Sequence, residues 1–176
     1  MKRKEWLRLS YHLIFAFVAE LKLSSPEHCA LIECCLQEDT ADAKWRVEAA
    51  ACTTDHIHLL VSTCDDITMT KLIRLLKTRV AKCAQEAGIY SGRKFWQPGS
   101  FAISTSASEA KELCQCIATQ DTLHSTWSLG DEVRRLARNA GMSRRKALPF
   151  LKSGTTKKYP ATRRAESASQ GKQCAD

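Results

Sequence analysis

The hydrophobic period switches along this chain between two and 3.6, and the resulting order of strand, helix, strand, strand, helix, strand predicts an α+β fold: a ferredoxin-like split βαβ sheet. Three observations carry that expectation. The chain opens with a run apolar on both faces, with Leu13, Phe15 and Phe17 against Ile14, Ala16 and Val18. Two β-type segments then flank a turn-sized gap at Thr53-Thr54-Asp55, and a long amphipathic stretch follows Thr68. With 176 residues, the chain suits one domain with an appendage. Residues 1–142 are expected to be the domain and 143–176 a basic, disordered tail.

The first strand spans Leu7 to Val18 and reads as central, covered on both sides. Ser24-Ser25-Pro26-Glu27 supplies a cap with proline near the first helical position, and Leu31, Cys34 and Cys35 give a stripe for a helix from Pro26 to Gln37. From Trp45 to Cys52, Val47, Ala49 and Ala51 alternate against Arg46, Glu48 and Ala50, so this segment pairs as an antiparallel hairpin with the strand beginning at Asp55. Met69, Leu72, Ile73, Leu76, Val80, Cys83, Ala84 and Ala87 follow helical spacing, with Gly88 as a natural stop. The other positions of this helix carry Lys71, Arg74, Lys77, Arg79 and Lys82, a face that is usually just solvated but can reach phosphate.

Phe95 to Gly99 is a loop, Phe101 to Thr105 a short strand, and Ser106-Ala107-Ser108-Glu109 a capping box. The helix opened there is expected to run to about Ser125. Its packing stripe is Ala110, Leu113, Cys114 and Ile117, with Glu109, Leu113, Cys116 and Gln120 as an adjacent row. Asp131 to Asn139 reads as a last short helix stopped by Gly141. In this layout the earlier helices share one face of the sheet and the late helix covers the other.

Chemistry concentrates in Asp55-His56-Ile57-His58-Leu59-Leu60-Val61. Strand side chains alternate, so His56, His58 and Leu60 share a face and two imidazoles look into one site. An isolated His-x-His is more often two half-buried histidines on a strand than a metal site. Neutral histidine is nonetheless the commonest metal ligand, and the row containing Gln120 on the late helix could supply a third donor.

Composition narrows the partners. The net charge is +8, and residues 134–176 hold 12 Lys/Arg against Glu166 and Asp176. That excess attracts phosphate regardless of sequence, which makes nucleic acid the first partner to consider and a merely solubilising tail the plain alternative. Nine cysteines with no CxxC pair read as free thiols of a reducing cytoplasm. The basic start and the apolar run from Leu13 to Ala19 read as a buried strand rather than a signal peptide, and no segment approaches the ~20 apolar residues of a membrane span.

Taken with Tyr11-His12-Leu13-Ile14-Phe15-Ala16, Leu76-Lys77, Trp96-Gln97-Pro98-Gly99 and Cys116-Ile117-Ala118-Thr119-Gln120, the histidine strand resembles the IS200/IS605-type single-tyrosine HUH transposases, REP-associated tyrosine transposase-like proteins included. The resemblance covers roughly Leu7 to Met142, with its parts in the family's order. It implies a dimeric enzyme of HUH/RRM-like fold, with an additional C-terminal helix carrying the nucleophile position. Such an enzyme binds hairpins in single-stranded DNA and cuts and rejoins strands through a 5′-phosphotyrosine link. It implies that His56, His58 and Gln120 hold Mg2+ or Mn2+ and that Lys77 contacts a DNA phosphate. It also places the nucleophilic tyrosine four residues before the glutamine, where this chain has Cys116; no tyrosine lies between Tyr90 and Tyr159.

A thiolate matches hard phosphorus poorly, whereas a positioned phenol can attack in line and later leave. Two readings follow: a family member whose strand transfer is impaired, or a catalytically inactive hairpin-DNA-binding protein, decayed or repurposed. A ferredoxin-like RNA binder is a third, weakened because the aromatics form no obvious base-stacking platform on outer strands.

Overall fold

The computed structural model describes residues 8–21, 23, 25–38, 44–63, 67–120 and 128–142. Its elements are β1 (Leu9–Ala16), α1 (Pro26–Gln37), β2 (Trp45–Cys52), β3 (His56–Thr63), α2 (Met69–Glu86), β4 (Phe101–Thr105), α3 (Ala107–Ala118) and α4 (Leu129–Asn139). The sheet order is β2-β3-β1-β4 with every neighbouring pair antiparallel, the split βαβ arrangement predicted from the sequence. The expected tail from 143 lies outside the described residues.

Both faces of the sheet are covered. On one, Leu13, Phe15, Ile57, Leu59 and Val61 pack with Ile32 and Leu36 of α1 and with Leu72, Leu76, Val80 and Ala84 of α2. On the other, Ile14, Ala16 and Phe101 receive Leu129, Val133 and Ala137 of α4, while Ala49 and Leu60 receive Ile117 of α3. The caps act as their sequences suggest. Thr68 accepts from the Lys71 backbone N–H at the start of α2, and Ser106 and Glu109 close a reciprocal capping box on α3. Gly88 and Gly141 follow α2 and α4 with φ of +68° and +65°, a conformation glycine adopts without steric cost. All seven cysteines among the described residues are free thiols, and no described helix is long and apolar enough to cross a membrane.

Two local expectations are corrected. The buried stripe of α1 is Ile32 and Leu36, whereas Cys34 is exposed and Leu31 is 41% exposed; α1 is rotated by about one residue from the predicted stripe, because Ile32 and Leu36 fill the gap between the sheet and α2. In β2 the alternation does not hold. A bulge between Val47 and Ala49 leaves Glu48 as the extra residue, so Val47 faces α1 and α2 while Ala49 and Ala51 face the opposite side. Separately, α3 is interrupted at Thr119, whose hydroxyl bonds back to the carbonyls of Gln115 and Cys116; Gln120 is helical again, and the rest of the expected stretch towards Ser125 lies outside the described residues.

The α1 correction makes a stability prediction. Leu36→Ala should lower the unfolding free energy by about 2–5 kcal/mol, whereas Leu31→Ala should stay within about 0.5 kcal/mol of wild type. Urea denaturation of the two variants distinguishes them, and the opposite ranking would restore the Leu31 stripe.

Candidate functional site

β3 is buried at all eight positions, and its period of two sends His56 and His58 to the α3/α4 side. Pairing with β1 sets Ala16 opposite His56, Ile14 opposite His58 and His12 opposite Leu60. Three histidines therefore gather on one face, each 2% exposed or less. The third, His12, belongs to the resemblance but had no role assigned from the sequence; strand register alone brings it to the site.

Each imidazole of the pair is backed from behind. His56 Nδ1 meets the Asp55 carboxylate and lies 2.8 Å from the Thr53 hydroxyl. A carboxylate only accepts, so Nδ1 carries the proton and, in the neutral ring, Nε2 is left as a lone pair. His58 Nδ1 lies 3.0 Å from His12 Nε2, and His58 Nε2 points the other way, 2.9 Å from His56 Nε2 and 3.0 Å from the Gln120 amide nitrogen. Gln120 is 4% exposed, and its approach past the break at Thr119 is what the sequence row anticipated. Two imidazole lone pairs directed at one point repel unless a proton or a cation lies between them.

Glu132, in the first turn of α4, is the residue sequence reasoning missed. One of its carboxylate oxygens is 3.4 Å from His58 Nε2, and the two oxygens lie 3.3 and 3.4 Å from Gln120 Nε2. No sequence spacing links positions 58, 120 and 132; a weak signal was the inward edge of α4 beside Val133. His56, His58 and Glu132 each offer one ligand atom, and these atoms lie within 4.8 Å of one another. Two imidazoles, a carboxylate and an amide form a donor set suited to a divalent ion such as Mn2+ or Mg2+.

Cys116 is exposed on α3. Tyr11 and Tyr90 pack against the core under α1 and α2, across the sheet from the imidazoles. Lys77 is half-buried, its ammonium 5.2 Å from the centre of the Phe15 ring and bonded to the Gly99 carbonyl, while the Trp96 indole N–H donates to the Lys77 carbonyl at 2.9 Å. Burial pushes its pKa down to about 8. Lys77 thus clasps the loop before β4, and Lys71, Arg74 and Lys82 are the exposed cations of α2.

The family model described as transposase IS200 like matches residues 6–120. The chain belongs to that family. Among solved structures, a candidate transposase from Deinococcus radiodurans R1 is 19% identical with a TM-score of 0.52, over 68% of this chain and 96% of its own. A REP-associated tyrosine transposase bound to a REP hairpin is 12% identical with a TM-score of 0.51, over 72% of this chain and 79% of its own. At these identities the likeness shows a shared fold. A search of curated proteins returns no match. Within the IS200-like transposase family, the histidine strand of this member is fixed by buried neighbours on every side.

That burial gives the fold a pH dependence. Desolvation first, and the nearby His58 second, push His12 down to about 3; desolvation also lowers His58. Unfolded, both titrate near the ordinary value of about 6.5. Below that pH the unfolded chain takes up protons that the folded one refuses, so stability falls as pH drops from about 6.5 towards 3, by up to about 1.4 kcal/mol per pH unit for His12 alone. Urea midpoints measured between pH 7 and 4.5 should decline, with a shallower decline in His12→Gln.

Proposed function

We propose that this transposase-family protein binds hairpins in single-stranded DNA, as a cytoplasmic homodimer, around one divalent cation held by His56, His58 and Gln120, and that its strand cleavage and rejoining are impaired because Cys116 stands at the nucleophile position. The observation that carries the reading is that His58 Nε2 lies 2.9 Å from His56 Nε2 and 3.0 Å from the Gln120 side-chain amide, whose oxygen becomes the ligand once the amide plane is flipped. Family membership supports a DNA substrate, and a relative of similar fold is bound to a DNA hairpin. When bound, Mg2+ or Mn2+ polarises a scissile phosphate and stabilises charge on the departing oxygen.

The chain's own residues prepare that site. Asp55 and Thr53 set the orientation of His56, His12 sets that of His58, and α3 and α4 exclude water from both rings. Residues 1–142 serve as the DNA-binding domain, and the basic segment 143–176 adds attraction to phosphate. For Lys77 to touch a phosphate its ammonium must leave the Gly99 carbonyl, so we assign the phosphate contacts of α2 first to Lys71, Arg74 and Lys82. The second reading, a catalytically inactive hairpin binder, is favoured by the positions of Tyr11 and Tyr90 on the far face of the sheet. Neither phenol reaches the imidazoles without unpacking the core.

Two experiments test this. In calorimetric titration with Mn2+, wild type should bind one ion and His58→Ala should lose it, with wild-type affinity falling only once the pH drops below the lowered His58 value, because the ligand is the neutral ring; equal binding by both proteins would remove the site. Separately, Cys116→Tyr with labelled hairpin DNA and Mn2+ should yield a covalent protein–DNA band in denaturing gels, where wild type and Cys116→Ala yield none. A folded, Mn2+-binding Cys116→Tyr without adduct would show that more than the nucleophile is missing, and an adduct in wild type lost in Cys116→Ala would identify a thiol nucleophile.

A further inference from the structure

The first turn of α4 carries two carboxylates with different fates. Asp131 stays at the surface, where it bonds the Ser128 hydroxyl and the Arg134 guanidinium and serves the positive end of the helix. Glu132 turns inward instead, with a side chain 15% exposed and both oxygens within 3.4 Å of Gln120 Nε2. We propose that Glu132 is a ligand of the divalent cation alongside His56, His58 and Gln120, and that the cation thereby fastens α4 to the sheet. This rests on the metal reading above and extends it to an element outside the matched span, which ends at residue 120.

Two arguments converge on Glu132. One is position: its ligand oxygen falls within 4.8 Å of the ligand nitrogens of His56 and His58, the separation at which three atoms can share one ion. The other is charge. Imidazole and amide donors are neutral and leave the full charge of a divalent ion in a buried place, whereas one carboxylate offsets half of it and adds the hard oxygen that Mg2+ and Mn2+ favour.

The consequence for α4 follows from its anchorage. Among its described side chains the buried ones are Leu129, Val133 and Ala137, resting on Ile14, Ala16 and Phe101. An ion held jointly by β3, by Gln120 beyond α3 and by Glu132 ties three separate stretches of chain at one point. Such an ion binds the docked form of α4 in preference to the undocked one and shifts the population accordingly.

The test uses the full chain and MnCl2. Glu132→Gln keeps the shape of the side chain and its hydrogen-bonding reach to Gln120 but removes the charge. Its Mn2+ affinity, by calorimetry, should fall about tenfold or more, a loss at least as large as that typical of an outer partner of a metal ligand, while its thermal midpoint without metal stays at the wild-type value. In hydrogen exchange, Mn2+ should slow the amides of residues 129–140 in wild type and leave them unchanged in Glu132→Gln. Wild-type affinity in Glu132→Gln, with binding lost in His58→Ala, would overturn the role of Glu132 and leave the histidine site standing. Absence of any Mn2+ effect on the α4 amides of wild type, despite measured Mn2+ binding, would overturn the fastening. No Mn2+ uptake by wild type would remove both readings together.

Discussion

The constraint on which the rest depends is the register of a strand without a solvent face. β3 must send Ile57, Leu59 and Val61 into the core built with α1 and α2, and His56, His58 and Leu60 towards α3 and α4. A slip of one residue would drive two imidazoles among Leu72, Leu76 and Val80 and bring branched aliphatic chains to Gln120 and Glu132. The hydrophobic demand of one face therefore holds the polar side chains of the other in place. Pairing with β1 then adds His12 behind His58, so the orientation of the site follows from packing that contains no chemistry of its own.

Much of this was legible in the sequence, because the signals were local. The His-x-His alternation, the helical spacing of Leu72, Leu76, Val80 and Ala84, and the Ser106/Glu109 box each depend on neighbours within about one or two turns of chain, and each is found in the structure. What failed depended on distant partners. Which stripe of α1 is buried is decided by the space between the sheet and α2. The Glu48 bulge is a property of a strand pair, not of a strand. His12 and Glu132 join the site from 46 and 74 positions away from His58 by register and by helix docking, and no spacing rule connects them.

Membership of the IS200-like transposase family separates two things that are often treated as one. On the reading proposed above, a fold and a donor set persist together while the nucleophile differs, since packing requires His56 and His58 to be where they are whether or not a nucleophile stands nearby. Cys116 lies on the exposed side of α3 and contributes little to burial, so its identity is free of the constraints that hold the imidazoles. Substitution at this position leaves the core intact.

The bulge in β2 bears on how the sheet meets other molecules. Glu48, displaced from the ladder, receives the Ser62 hydroxyl of β3 at 2.6 Å and lies 3.8 Å from Arg8, so its carboxylate turns inward towards β3 and β1. An incoming strand at the β2 margin would find its hydrogen-bond spacing interrupted at the bulge. The sheet is thus guarded against edge-to-edge aggregation on its β2 side. The opposite margin, the five residues of β4, pairs with β1 without a register shift.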